Sequence, residues 1–238
     1  MGNKHLSVLM LYVRSAIFLL LFTMALLIAT QTGLFLWQMQ HGAASLEAVV
    51  QSKYFYLAWA AVAALLIILL SRMQGGGYTV RRLRISERAT FLWHSLTCFL
   101  CYALLWMTEI ITITVLCRYF LMQPAAADAS GQTLFLAFYC NEFLHSILPL
   151  EEVSRWVWLI IAWVALALAT ADAVVQMRCD RKPSTLIPVA LLYLWHFKQP
   201  LGSMTSDIIL TLINLCCGAY AIWDVWFNVE EVETDEAD

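Results

Sequence analysis

Ser71-Arg-Met-Gln-Gly-Gly-Gly-Tyr-Thr-Val-Arg-Arg-Leu-Arg-Ile-Ser-Glu-Arg-Ala89 separates two apolar runs, residues 54–70 and 90–120. Five of the chain's fourteen Lys and Arg residues fall within this one stretch. Short loops rich in Lys and Arg between membrane-length apolar segments are retained in the cytoplasm. The stretch therefore fixes the orientation of the segments around it. It is also long enough to form a short surface helix that another protein could grip.

Composition agrees with a membrane setting. The chain is 62% hydrophobic and 13% charged, with ten Trp and a mean hydropathy of +0.74. Soluble domains run nearer about half apolar and about a quarter charged. The expected fold is an all-α membrane protein with six transmembrane helices, at 16–37, 54–70, within 90–120, 156–176, about 184–197 and 206–227. Residues 1–228 form a single polytopic domain. Residues 229–238, which hold six of the seventeen acids, read as an acidic, solvated cytoplasmic tail.

The first apolar run is too long for a cleavable signal core, and no small-residue cleavage pattern closes it. Ahead of it, Leu6, Leu9, Leu11 and Tyr12 with Lys4 and Arg14 fit either an interfacial helix or an extension of the first span. With the N-terminus inside, ten Lys and Arg face the cytoplasm and four (Lys53, Arg118, Arg155, Lys198) face outward. Both termini are then cytoplasmic in a multi-pass cell-membrane protein.

Two segments depart from a simple series of crossings. Residues 132–148 are apolar but carry Asn141, Glu142 and His145 at their centre. A carboxylate at mid-bilayer costs roughly 2.5–3.5 kcal/mol, so an external interfacial or re-entrant helix is expected there. The fifth span is short and contains Pro188, which also fits a re-entrant segment.

Sequence motifs for chemistry are scarce. Gly75-Gly76-Gly77-Tyr78-Thr79 lacks the lysine of a nucleotide-binding loop, so ATP hydrolysis is not expected in this chain, which reads as a non-enzyme without a cofactor of its own. Glu142 and His145 are the only hint of a metal site, two ligands where three or four are usual, and no metal is expected. Most of the seven Cys lie inside spans as small packing residues, and Cys98-x-x-Cys101 is a weak redox signal. The basic residues sort by membrane side and form no nucleic-acid motif.

Ionisable residues inside spans are the default functional candidates. Glu109 lies near the middle of the third span. With Cys98, Tyr102 and Thr112 it makes a polar stripe at helical spacing, which reads either as a substrate path through Tyr102, Glu109 and Thr112 or as a packing lock. Asp172, Asp207 and Asp224 lie near span ends, where capping or interface exposure accounts for them. Ala165, Ala169 and Ala173, and Asn214 with Gly218, read as close-packing faces.

The linker Tyr78-Thr-Val-Arg-Arg-Leu-Arg-Ile-Ser-Glu-Arg-Ala-Thr-Phe-Leu92, following an inward return span, resembles that of type-2 ABC transporter permeases. In that class the loop between the second and third spans forms a coupling helix. The resemblance implies that Arg81, Arg82, Leu83, Arg84, Ile85 and Ser86 dock a separate ATP-binding cassette ATPase subunit, which would carry ATP and Mg. It also implies a second permease copy or sister subunit, and export as the direction of transport. The segment 133–155 is longer than the class leads one to expect. Other classes remain open: a small-molecule-binding component of an importer, a solitary small transporter, or a membrane-embedded enzyme or assembly factor using Glu142, His145 and Glu151.

Overall fold

The computed structural model describes residues 4–41, 46, 49, 53–73, 86–123, 135–136, 138–139, 141–149, 153–179, 181–197 and 204–228. Among these the regular elements are helices: α1 (Lys4–Gln40), α2 (Lys53–Ser71), α3 (Glu87–Leu121), α4 (Glu142–Ile147), α5 (Val153–Arg178), α6 (Leu186–His196) and α7 (Met204–Phe227). Five of them, α1, α2, α3, α5 and α7, are long and apolar enough to cross a membrane, which fits an all-α, multi-pass membrane protein.

α1 is one continuous helix from Lys4, so the N-terminal residues extend the first apolar run and form no separate interfacial helix. At about 1.5 Å per residue, the 37 residues of α1 and the 35 of α3 both overshoot a hydrocarbon core of about 30 Å. α3 starts at a serine cap. Ser86 is extended (φ −60°, ψ 145°), and its hydroxyl accepts from Ala89 N at 3.3 Å. Glu87 follows in the first turn, where a carboxylate favours the helix dipole.

Side-chain pairs fix the directions of the helices. At one end, called here the Glu87 end, Arg178 of α5 meets both Glu87 of α3 and Tyr12 of α1, and Arg88 reaches Trp226 O of α7 at 3.1 Å. α1 and α3 therefore start at this end, and α5 and α7 finish there. At the opposite, Asp207 end, Arg155 at the start of α5 pairs with Asp207 at the start of α7. α6 runs counter to α5: Thr185 contacts Asp172, while His196 stacks on Trp158 with ring centroids 3.5 Å apart. Positions 158 and 172 of α5 are about 21 Å apart along the axis, so α6 and its lead-in cover most of the bundle's depth.

α5 is the central helix. Its most apolar stretch is 78% buried, against 28% for α1 and 33% for α7, whose outer faces carry exposed Phe18, Phe22, Ile209 and Leu212. Alanine makes this possible, because small side chains let membrane helices approach closely. Ala165, Ala169 and Ala173 are all fully or nearly fully buried, as their four-residue spacing predicts. Gly218 of α7 sits over Ala165, where an added Cβ would meet the Ala165 Cα at 3.7 Å.

Within the stretch expected as an interfacial or re-entrant helix, the described residues include the short helix α4. Asn141 breaks the helical path with an extended backbone, and its side chain accepts from Leu144 N at 3.0 Å to cap the six-residue α4. α4 is tucked into the bundle. Phe143 lies 5.8 Å from the Trp59 ring, and Ile147 O accepts from Trp106 Nε1 at 3.0 Å. An aromatic cluster of Trp59, Trp158, Tyr193 and Phe197 fills the neighbouring core, with Trp59 and Phe197 in edge contact at 4.5 Å.

Candidate functional site

Glu109 is fully buried where α3 faces α1 and α2. Gln31 donates from Nε2 to Glu109 Oε1 at 2.7 Å and to Phe55 O at 3.2 Å, so one amide ties the three helices together. Glu109 Oε2 and Gln31 Oε1 have no hydrogen-bond partner among the described residues. An acceptor left unmatched in apolar surroundings costs free energy, so this junction holds an unmet hydrogen-bonding demand inside the bundle. Gln31 was legible only as a lone amide in the first apolar run, within Thr30-Gln31-Thr32.

The other stripe residues point to different neighbours. Tyr102 OH and the Thr170 hydroxyl of α5 are 2.8 Å apart, and Thr112 donates to Thr108 O of its own helix at 2.7 Å. Tyr102 thus belongs to the α3–α5 seam and Glu109 to the α1–α2–α3 junction. The structure brings Glu109 together with Gln31, not with Tyr102 or Thr112.

Two further polar clusters lie at the bundle ends. Asp172, Asp207 and Asp224 are buried, so interface exposure does not account for them. At the Asp207 end, Arg155 Nε lies 3.5 Å and His196 Nε2 3.7 Å from the Asp207 carboxylate, with Ser154 donating to it at 3.3 Å. Arg155 also donates to Ser146 at 3.3 Å, linking α4 to α5. Arg155 is thus half of a buried ion pair at this end of the bundle. At the Glu87 end, Gln176 Nε2 donates to Asp172 Oδ2 at 2.8 Å and to Asp224 Oδ2 at 3.2 Å, bridging two carboxylates on α5 and α7. Gln176 Oε1 accepts from Ser184 N at 3.2 Å, and Thr185 donates to Asp172 at 2.8 Å, which anchors the approach to α6.

Of the basic docking residues, Ser86 is the α3 cap, while Arg81, Arg82, Leu83, Arg84 and Ile85 lie outside the described residues, as does the tail 229–238. Glu142 and His145 have different surroundings. Glu142 is exposed, whereas His145 is buried, with Nδ1 3.2 Å from Tyr139 O. Among the described residues no group of three or more His, Cys, Asp or Glu side chains is placed to hold a metal. Cys98 and Cys101 are free thiols buried in α3.

No protein-family model, curated protein or solved structure matches the chain.

Chemically, the site offers a carboxyl group in a water-poor interior with one oxygen held by an amide and the other open. Such a group can take up a proton or polarise a passing polar ligand. The two end clusters are more fully paired, and they join helices rather than present free groups.

Proposed function

We propose that the chain is the permease subunit of an ATP-driven exporter, with six crossings that include Leu186–His196 and with both termini cytoplasmic. A separate ATP-binding subunit, carrying ATP and Mg, docks on the basic segment 81–86, and a second permease copy completes the path. The observation that carries this reading is the Ser86 cap, which starts α3 at the end where Arg88, Arg178 and Arg181 also gather. α3 begins directly after that segment and carries Glu109, so a push from the partner has a 35-residue helix along which to reach the core. Docking energy concentrates in apolar anchors, here Leu83 and Ile85, while Arg81, Arg82 and Arg84 set register.

The test replaces both anchors, Leu83→Ala with Ile85→Ala, and keeps every positive charge. The double variant is expected to reach the membrane in the same orientation but to lose co-purifying ATPase and transport. Full retention of both would overturn the assignment.

The open Glu109 oxygen favours one other reading, a solitary small transporter that moves its substrate by protonation at Glu109. Transport by the purified chain alone, driven by a proton gradient and abolished in Glu109→Gln, would select this reading over the exporter.

A further inference from the structure

A cavity of about 280 Å³ opens at the Glu87 end between the finishing turns of α2 and α5, lined by Ser71, Arg72, Val174, Met177 and Arg178. A water occupies about 30 Å³ of liquid, so the space would take roughly nine waters or one organophosphate group. Its lining is two-sided. Arg72 and Arg178 bring two positive charges to the lining, and Val174 and Met177 bring apolar side chains. Arg72 is exposed and makes no ion pair among the described residues. Arg178 is half committed, with one terminal nitrogen 3.4 Å from Glu87 and the other donating to Tyr12 OH at 3.2 Å. The cavity lies where the last turns of two apolar helices meet, at headgroup depth for a membrane-embedded bundle.

We propose that this cavity binds an anionic phospholipid, with the Arg72 and Arg178 guanidiniums on the headgroup phosphate and Val174 and Met177 against its acyl-glycerol stem. Guanidinium forks suit phosphate oxygens, and basic recesses between membrane helices on the cytoplasmic side are suited to lipid phosphates. The apolar side chains favour a lipid over a free phosphate, which has no use for them. Two features oppose the ligand and keep the affinity modest. The C-terminal dipoles of α2 and α5 are negative at this end, and Glu87 competes for Arg178. Arg72 therefore supplies most of the discrimination.

The site is separable from general surface charge by native mass spectrometry of the full chain titrated with phosphatidylglycerol or phosphatidylcholine. Arg72→Gln, at an exposed helix end, is expected to lower phosphatidylglycerol retention about fivefold and leave phosphatidylcholine unchanged. Glu87→Gln, which frees Arg178, is expected to raise it. Lys182→Gln removes an equal charge from an exposed position outside the cavity and is expected to change nothing. Equal losses in Arg72→Gln and Lys182→Gln, or no loss in Arg72→Gln, would overturn the proposal. Competition by excess inorganic phosphate that depends on Arg72 would overturn the lipid assignment in favour of a soluble phosphate ligand.

Discussion

Gln31 of α1 and Glu109 of α3, 78 positions apart in the chain, are joined by a 2.7 Å hydrogen bond in the interior of the bundle. The same amide nitrogen reaches the Phe55 carbonyl of α2, so the carboxyl is positioned by the junction of three helices.

Gln31→Leu therefore removes the one hydrogen-bond partner that a buried carboxyl has among the described residues, and a stability loss of about 1–3 kcal/mol is expected from the stranded acceptor. Glu109→Gln keeps the shape and loses the acid. It is expected to melt close to the unsubstituted protein while transport changes. Thermal unfolding in detergent separates the two, and a Glu109→Gln variant with normal transport would reduce Glu109 to a packing residue.

Arg155 and Asp207 form a buried pair whose side chains are each about 3% exposed. Removing one partner strands the other charge, so Asp207→Asn is expected to cost about 3–5 kcal/mol. Arg155→Met combined with Asp207→Leu is expected to recover much of that loss, because neither charge then remains to be desolvated. Denaturation midpoints of the single and double variants check the sign of the coupling.

At Gly218 an added Cβ meets Leu168 Cδ1 at 3.4 Å, an ordinary contact. Gly218→Ala is expected to be nearly neutral. Gly218→Leu must push α7 off the alanine face of α5 and is expected to cost about 1–3 kcal/mol. Equal yields of folded protein for the two variants would show that α7 is less closely seated than its geometry indicates.

The ten-to-four bias of Lys and Arg predicts that a reporter active only in the cytoplasm, fused after Asp238, gives full signal. A silent fusion with an active counterpart for the opposite compartment would invert the orientation.

The long helices were readable because length and apolarity alone identify them, and the α3 start was readable because Ser86 and Glu87 are local signals. The alanine face of α5 was equally local, a repeat every four residues. The polar clusters were not, because each depends on partners distant in sequence. Asp207 pairs with Arg155, 52 positions before it, and Asp224 is tied to α5 by Gln176, 48 positions before it. Read alone, each aspartate near a helix end resembles a cap or an interface residue. The ion pair of Arg155 was hidden for the same reason, since a charge count by loop says nothing of pairing. Glu109 was found because an acid amid apolar residues stands out by itself, while its partner Gln31 carries no charge to draw notice.

α6 has a consequence for the lipid around the protein. Its 11 helical residues rise only about 16 Å, roughly half of a hydrocarbon core, and Ile187, Leu191 and Trp195 on its outer face are exposed. The non-helical lead-in keeps its backbone satisfied through Gln176, whose carbonyl oxygens accept from Ser184 N and Arg181 N. Acyl chains beside this flank meet a short apolar strip, and they adapt by thinning or by tilting toward it. A bilayer around the bundle would therefore meet its shortest apolar helical strip on this flank, and a hydrophobic mismatch would fall there rather than along α1 or α3.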